Sequence, residues 1–227
     1  GREEEISMIL SIADGISSKQ GSGALEIIGV HGYSGSGKSF LVNQIGRYLS
    51  TKGWIFLDGK FDRMRHGDAA LSVIISAFDQ YFVNMESFKF RGEADDVSYC
   101  NQVTTKIMEA LGSDGVDSLS RVIPSLNRLV GNEITDKSKI VRTGEESAMY
   151  EQRIEYLLCV LLEAILSVGR PMLLLYDVTT QWSGVVRSQF IEKLLKHIAD
   201  RASSRENPLF IQCCGKKRVE GLNTSTI

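Results

Sequence analysis

Residues Gly32-Tyr33-Ser34-Gly35-Ser36-Gly37-Lys38-Ser39 satisfy the pattern GxxxxGK[ST] at every fixed position. These residue types, at this spacing, bind polyphosphate. The glycines allow backbone torsions and a close approach that side chains would block. The loop amides then turn inward and cradle phosphate oxygens. A helix starting at the end of the loop directs its positive end at the same anion. Within that logic Lys38 reaches the β- and γ-phosphates, and the Ser39 hydroxyl ligates Mg²⁺. The whole run from Gly32 to Ser39, with Phe40 after it, is the candidate nucleotide-binding segment. A second acidic strand must complete such a site by placing an Asp near the metal. Asp177, after the apolar run Met172–Tyr176, is the candidate, so Lys38 and Asp177 are the expected catalytic pair and Ser39 and Asp177 the expected metal residues. The expected ligands are ATP and Mg²⁺. No NKxD guanine motif stands in the chain, which favours ATP over GTP.

Other chemistry-bearing residues are less pointed. His31 precedes the loop and reads as a strand-end residue, since no metal or nucleophile partner accompanies it. Val178 follows Asp177, where ATPases of this architecture often carry an acid that orients the attacking water. Valine accepts neither a proton nor a hydrogen bond; Thr179, Thr180 and Gln181 could position water but are not comparable bases. Glu192 and Asp200 read as solvated helix residues. The sequence therefore supports nucleotide binding better than fast hydrolysis. Cys100, Cys159, Cys213 and Cys214 form no CxxC motif and read as reduced, buried thiols.

The elements that must hold these residues follow from periodicity. Glu3–Ser17 is an amphipathic helix, and Leu25–His31 a buried strand feeding the loop. Phe40–Leu49 is helical, and Trp54–Leu57 is a strand ended by Asp58-Gly59. Ala69–Phe82, Val103–Leu111 and Tyr150–Val168 are helical. So is Leu119–Val130, with Pro124 either kinking it or standing near its start. Gly131–Glu146 reads as a loop. Met172–Tyr176 is a third strand ending on Asp177, Phe190–Ile198 a helix, and Leu209–Cys214 a fourth strand. Alternating strands and helices predict an α/β P-loop NTPase fold, a three-layer αβα sandwich on a mostly parallel sheet. A helical insertion, about residues 68–168, separates its second and third strands. The 227 residues read as one nucleotide-binding domain.

Composition sets the outer limits. Hydrophobic residues are 43% and charged residues 24%, ordinary for a globular domain. The formal net charge of −2 argues against a general affinity for nucleic acid. The most apolar stretch, Leu157–Leu166, is interrupted by Glu163 and too short to span a bilayer, so no membrane association is expected. The chain opens on Gly1 and reads as an excised, C-terminally truncated piece of a longer, cytoplasmic protein.

Several segments together resemble a family. Gly1-Arg2-Glu3 resembles the start of AAA+ ATPase domains of the origin-recognition-like class, which are akin to the signal-transducing STAND ATPases. Trp54–Asp62 is similar to a segment of large signalling proteins that join such a domain to protein-kinase or histidine-kinase domains. Ile123–Leu126 with Leu129–Gly131, and Pro171–Trp182, resemble further segments of that subgroup. The resemblance runs from Gly1 to about Val219, with only the phosphate loop sharply specific. It implies that Arg2 lies near the adenine pocket, a surface arginine being the alternative. It also implies other domains of the parent chain as partners, with self-association as a further possibility.

The chain departs from that family at three places. Asp177-Val178 stands where an acidic pair is usual, with one extra residue before Gln181-Trp182. Cys214-Gly215-Lys216-Lys217 stands where an arginine turn is usual; Lys216 or Lys217 could approach the γ-phosphate or form a solvated turn. The fifth strand and the helical lid are expected to be missing. Four functions are compatible with these residues. The first is an ATP-binding regulatory switch with slow turnover, using in-line attack of water on the γ-phosphoryl group. The others are a nucleotide-stabilised interaction module, an AAA+ motor on DNA or protein, and a small-molecule phosphotransferase. The last needs an arginine lid, which the scattered Arg91, Arg121, Arg128 and Arg142 do not form.

Overall fold

The computed structural model describes residues 2–18, 26–31, 33, 35–60, 69–91, 94–131, 144–178, 194, 196, 208–214 and 224–226. In chain order they form α1 (Glu3–Ser18), β1 (Glu26–His31), α2 (Lys38–Thr51), β2 (Ile55–Lys60), α3 (Ala69–Arg91), α4 (Ala94–Ser120), α5 (Pro124–Val130), α6 (Gly144–Leu166), β3 (Met172–Val178), β4 (Pro208–Cys214) and β5 (Thr224–Thr226). The chain divides into two compact units, 1–77 with 169–227, and 78–168, the boundary falling within α3.

The first unit is built on a five-stranded sheet in the order β2-β3-β4-β1-β5, with every pairing parallel. A parallel sheet must be buried on both faces, because its crossovers lay helices over them. β3 meets that requirement: the consecutive residues Met172, Leu173, Leu174 and Leu175 are all buried. One core joins α1 through Ile9, Ala13 and Ile16 to α2 through Leu41, Val42, Ile45 and Leu49. It also takes in Ile28 and Val30 of β1 and Leu173 and Leu175 of β3. The helical spacing of these positions lays one apolar stripe of each helix into that core.

Three sequence expectations are corrected in this unit. A fifth strand is present: Thr224-Ser225-Thr226 pairs with Ile27-Ile28-Gly29. Its three polar residues carry no apolar pattern. Asp58-Gly59 does not end β2 but lies inside it. A Cβ on Gly59 would stand 2.8 Å from Val73 Cγ1 and 3.2 Å from the Leu175 carbonyl oxygen, so this glycine marks close packing rather than a turn. β3, expected to end on Asp177, runs one residue further, to Val178. Of the expected helix Phe190–Ile198, only Leu194 and Lys196 are described, and both are helical.

The second unit is helical. Gly112, at φ 62°, breaks the direction of α4 midway. Pro124 stands at the start of α5, where its missing N–H is harmless, and Gly131 caps the end in the left-handed conformation. Residues 144–146 belong to α6, so the expected loop is shorter than its composition implies; 132–143 lie outside the described residues. Phe78, Phe82, Met85, Ile107, Leu119 and Ile123 form much of the buried interior. Cys100 is buried, its thiol donating to the Met85 carbonyl at 3.6 Å, and Cys159 is half-buried; neither is in a disulfide among the described residues.

Asp79 pins α5 in this unit. Its carboxylate accepts the backbone N–H of Ser125 at 3.0 Å and the Ser125 hydroxyl at 2.5 Å. Ser125 is 0% exposed, so removing the acceptor strands a buried donor. Asp79→Ala is expected to lower stability by about 2 kcal/mol, read from the urea midpoint, with Asp79→Asn losing about half as much. A shift below about 0.5 kcal/mol would show that solvent replaces the carboxylate. Nearby, Arg128 donates to Glu86 at 3.0 Å, which engages one of the scattered arginines.

Candidate nucleotide site

β1 occupies the place where the strand order reverses, between β4 and β5, and parallel sheets hold ligands beyond the carboxyl ends of the strands at such a point. The chain leaves β1 at His31 and enters α2 at Lys38 through the phosphate loop. Gly32 and Ser34 lie outside the described residues; Tyr33 and Gly35–Ser39 are described. Gly35 and Gly37 have φ values of 80° and 82°, the left-handed region that a side chain disfavours. The Tyr33 carbonyl accepts the Ser36 N–H at 3.1 Å, closing a tight turn. Gly37 accepts Leu41 N–H at 3.0 Å as the first bond of α2, and no side chain caps that helix start. An uncapped first turn with no acidic residue is a seat for an anion.

Lys38 is 5% exposed, and its Nζ donates to the Tyr33 carbonyl at 2.9 Å. The lysine is folded back along its own loop. Ser39 is half-buried and its carbonyl accepts from Asn43 Nδ2 at 3.0 Å. Ser36 Oγ is buried without a hydrogen-bond partner among the described residues. An orphaned hydroxyl in a loop of this shape fits a phosphate group, which would supply the missing acceptor. Tyr33 and Phe40 flank the loop at 78% and 76% exposure.

Sheet register fixes the backbone position of the acidic candidate. Asp177 pairs with Cys213, which pairs with Val30, while Lys60 pairs with Asp177 on the other side. Val30, Cys213, Asp177 and Lys60 thus form one row across four strands. With strands about 4.8 Å apart, the Asp177 backbone stands about 10 Å from that of Val30, the residue two before Gly32. Val178 occupies the next row with Cys214 and His31.

Arg2 comes to the loop as well. Its guanidinium donates to the Ser36 carbonyl, and its Nη2 lies 3.9 Å from where a Gly37 Cβ would be. The sequence offered no signal for this contact, because the acceptor is a backbone carbonyl. Thr179, Thr180, Gln181, Trp182, Lys216 and Lys217 lie outside the described residues, as do Arg142, Glu192 and Asp200.

A protein-family model described as AAA ATPase domain matches residues 1–213. The chain belongs to the AAA ATPase domain family. Its fold is that of a P-loop NTPase, and membership of this family implies nucleotide binding. No curated protein and no solved structure matches the chain. Among the described residues of this AAA domain, no helix is long and apolar enough to cross a membrane. No group of three or more His, Cys, Asp or Glu residues among them could hold a metal.

Proposed function

We propose that this AAA domain binds Mg-ATP and turns it over slowly, serving as a regulatory switch within a larger signalling protein of the origin-recognition-like, STAND-related class. The observation that carries the reading is the loop between β1 and α2. Two left-handed glycines, the buried Lys38 and the orphaned Ser36 hydroxyl lie together within its five residues Gly35–Ser39. In this reading the amides of Gly35–Ser39 and the Lys38 ammonium hold the phosphates. Tyr33, Ser34 and Phe40 border the nucleotide, and Gly32 gives the turn its room. Ser39 and Asp177 hold Mg²⁺, which supplies charge neutralisation at the β- and γ-oxygens. Lys38 and the loop amides spread the charge that grows as water attacks the γ-phosphoryl group. Burial of β3 on both sides supports the three-layer sandwich. The helical unit 78–168 reads as an insertion within one nucleotide-binding domain. A cytoplasmic setting, with other domains of the parent chain as partners, belongs to the same proposal.

Val178 favours a second reading, an interaction module that nucleotide stabilises without being cleaved. A ligand bound only by the folded state raises stability by mass action alone. Val178→Glu separates the two. It is expected to raise single-turnover ATP cleavage by about tenfold, since a positioned base contributes that much or more. An unchanged rate would show that residue 178 does not limit chemistry and would favour the interaction reading. An AAA+ motor needs the acid and an arginine finger that this chain's sequence does not offer at those places.

A further inference from the structure

We infer that Arg2 is a positioning residue that sets the phosphate loop in its binding conformation and thereby ties nucleotide affinity to the seating of α1. The inference deepens the nucleotide reading above and rests on it. Its basis is the bond from the Arg2 guanidinium to the Ser36 carbonyl, across thirty-four residues of sequence. The proximity of the same guanidinium nitrogen to Gly37 is a second sign of it.

The physical consequence lies in the peptide unit between Ser36 and Gly37. In a trans peptide the carbonyl and the following N–H point in opposite directions. Holding the Ser36 carbonyl toward Arg2 therefore aims the Gly37 N–H the other way. Gly37 sits at φ 82°, a conformation glycine leaves as readily as it enters. Without a partner on the carbonyl, that peptide is free to rotate and the cradle loses a directed donor. A charged donor on a carbonyl is among the stronger hydrogen bonds available, and it fixes the orientation before the ligand arrives.

Arg2 is in turn held by the helix it precedes. Its carbonyl accepts the Ile6 N–H at 3.0 Å, the first bond of α1. Ile9, Ala13 and Ile16 then anchor α1 in the core shared with α2 and β1. Displacing α1 withdraws the guanidinium, and the loop relaxes. By reciprocity, a nucleotide that needs the ordered loop favours the seated helix.

The test uses the chain with native Arg2, Arg2→Ala and Arg2→Lys, with Lys38→Ala as the control for nucleotide binding. Amide exchange of Gly35–Phe40 is measured without nucleotide. Affinity is measured for fluorescent Mg-ATP and, by competition, for Mg-tripolyphosphate. Arg2→Ala is expected to speed exchange in the loop and to weaken both ligands about tenfold by the same factor, with unchanged far-ultraviolet circular dichroism. Arg2→Lys, which keeps a charged donor, is expected to recover part of the loss. Unchanged exchange, or equal affinity in Arg2→Ala while the native chain binds both ligands, would overturn the tether alone. Weakened ATP with unaltered tripolyphosphate would place the guanidinium on the base and overturn it too. A native chain that binds neither ligand would overturn the nucleotide reading, and the tether with it.

Discussion

Lys38→Ala is expected to weaken Mg-ATP binding by at least about a hundredfold, and Mg-ADP, which lacks the γ-phosphate, by about tenfold, while leaving the fold in place. Charge-assisted hydrogen bonds contribute roughly 1.5–3 kcal/mol each, and an ammonium serving two phosphates makes two of them. About 3 kcal/mol corresponds to roughly a hundredfold in affinity. Part of that gain is offset in the native protein, because Nζ must first leave the Tyr33 carbonyl at 2.9 Å. The offset is small, since the loop is already shaped and the cation already buried at 5% exposure. Alanine is a good helix former at the start of α2, so secondary structure should be retained. Titration calorimetry with each nucleotide checks the affinity, and circular dichroism the fold. Binding within threefold of the native chain would mean that the phosphates are held elsewhere.

The second large effect is on stability. Gly46→Val is expected to cost about 3 kcal/mol. A Cβ at Gly46 would stand 2.5 to 2.7 Å from three ring atoms of Phe56. The glycine on α2 thus lets the helix settle directly onto a β2 side chain. Valine adds three carbons at that contact, and overpacking of this kind costs roughly 1–3 kcal/mol, more where the backbone must move. Because α2 begins with Lys38 and Ser39, a displaced helix also moves the cradle, so nucleotide affinity should fall together with the melting temperature. Adding Phe56→Ala should restore part of both, since it removes the clashing ring. Additive losses in the double variant would show that the ring is not what Gly46 accommodates.

How much of this was legible in the sequence depends on how local each determinant is. The phosphate loop was readable because its chemistry needs glycines, a lysine and a hydroxyl at fixed places within eight residues. The strands β1, β3 and β4 were readable from short apolar runs rich in branched residues. Gly59 was misread because glycine beside aspartate looks like a turn, and only the nearby Val73 reveals a packed strand. β5 was invisible because Thr224-Ser225-Thr226, which pairs with β1, carries no apolar pattern. The Asp177 row was out of reach for another reason. It follows from the order in which strands neighbour one another, which periodicity does not contain. Arg2 came to attention by resemblance, toward the base. Its bond to Ser36, thirty-four residues away, is set by the fold and leaves no local mark in the sequence.

The functional account is most directly tested by single turnover. Excess protein is mixed with trace labelled ATP and Mg²⁺, the bound fraction is separated, and the nucleotide it carries is identified over time, with Lys38→Ala in parallel. The account predicts that the native chain retains the label and converts it slowly to ADP, and that Lys38→Ala does neither. Bound ATP that persists unchanged would contradict the slow ATPase and leave a nucleotide-sensing domain. Label that the native chain does not retain would contradict the nucleotide site itself.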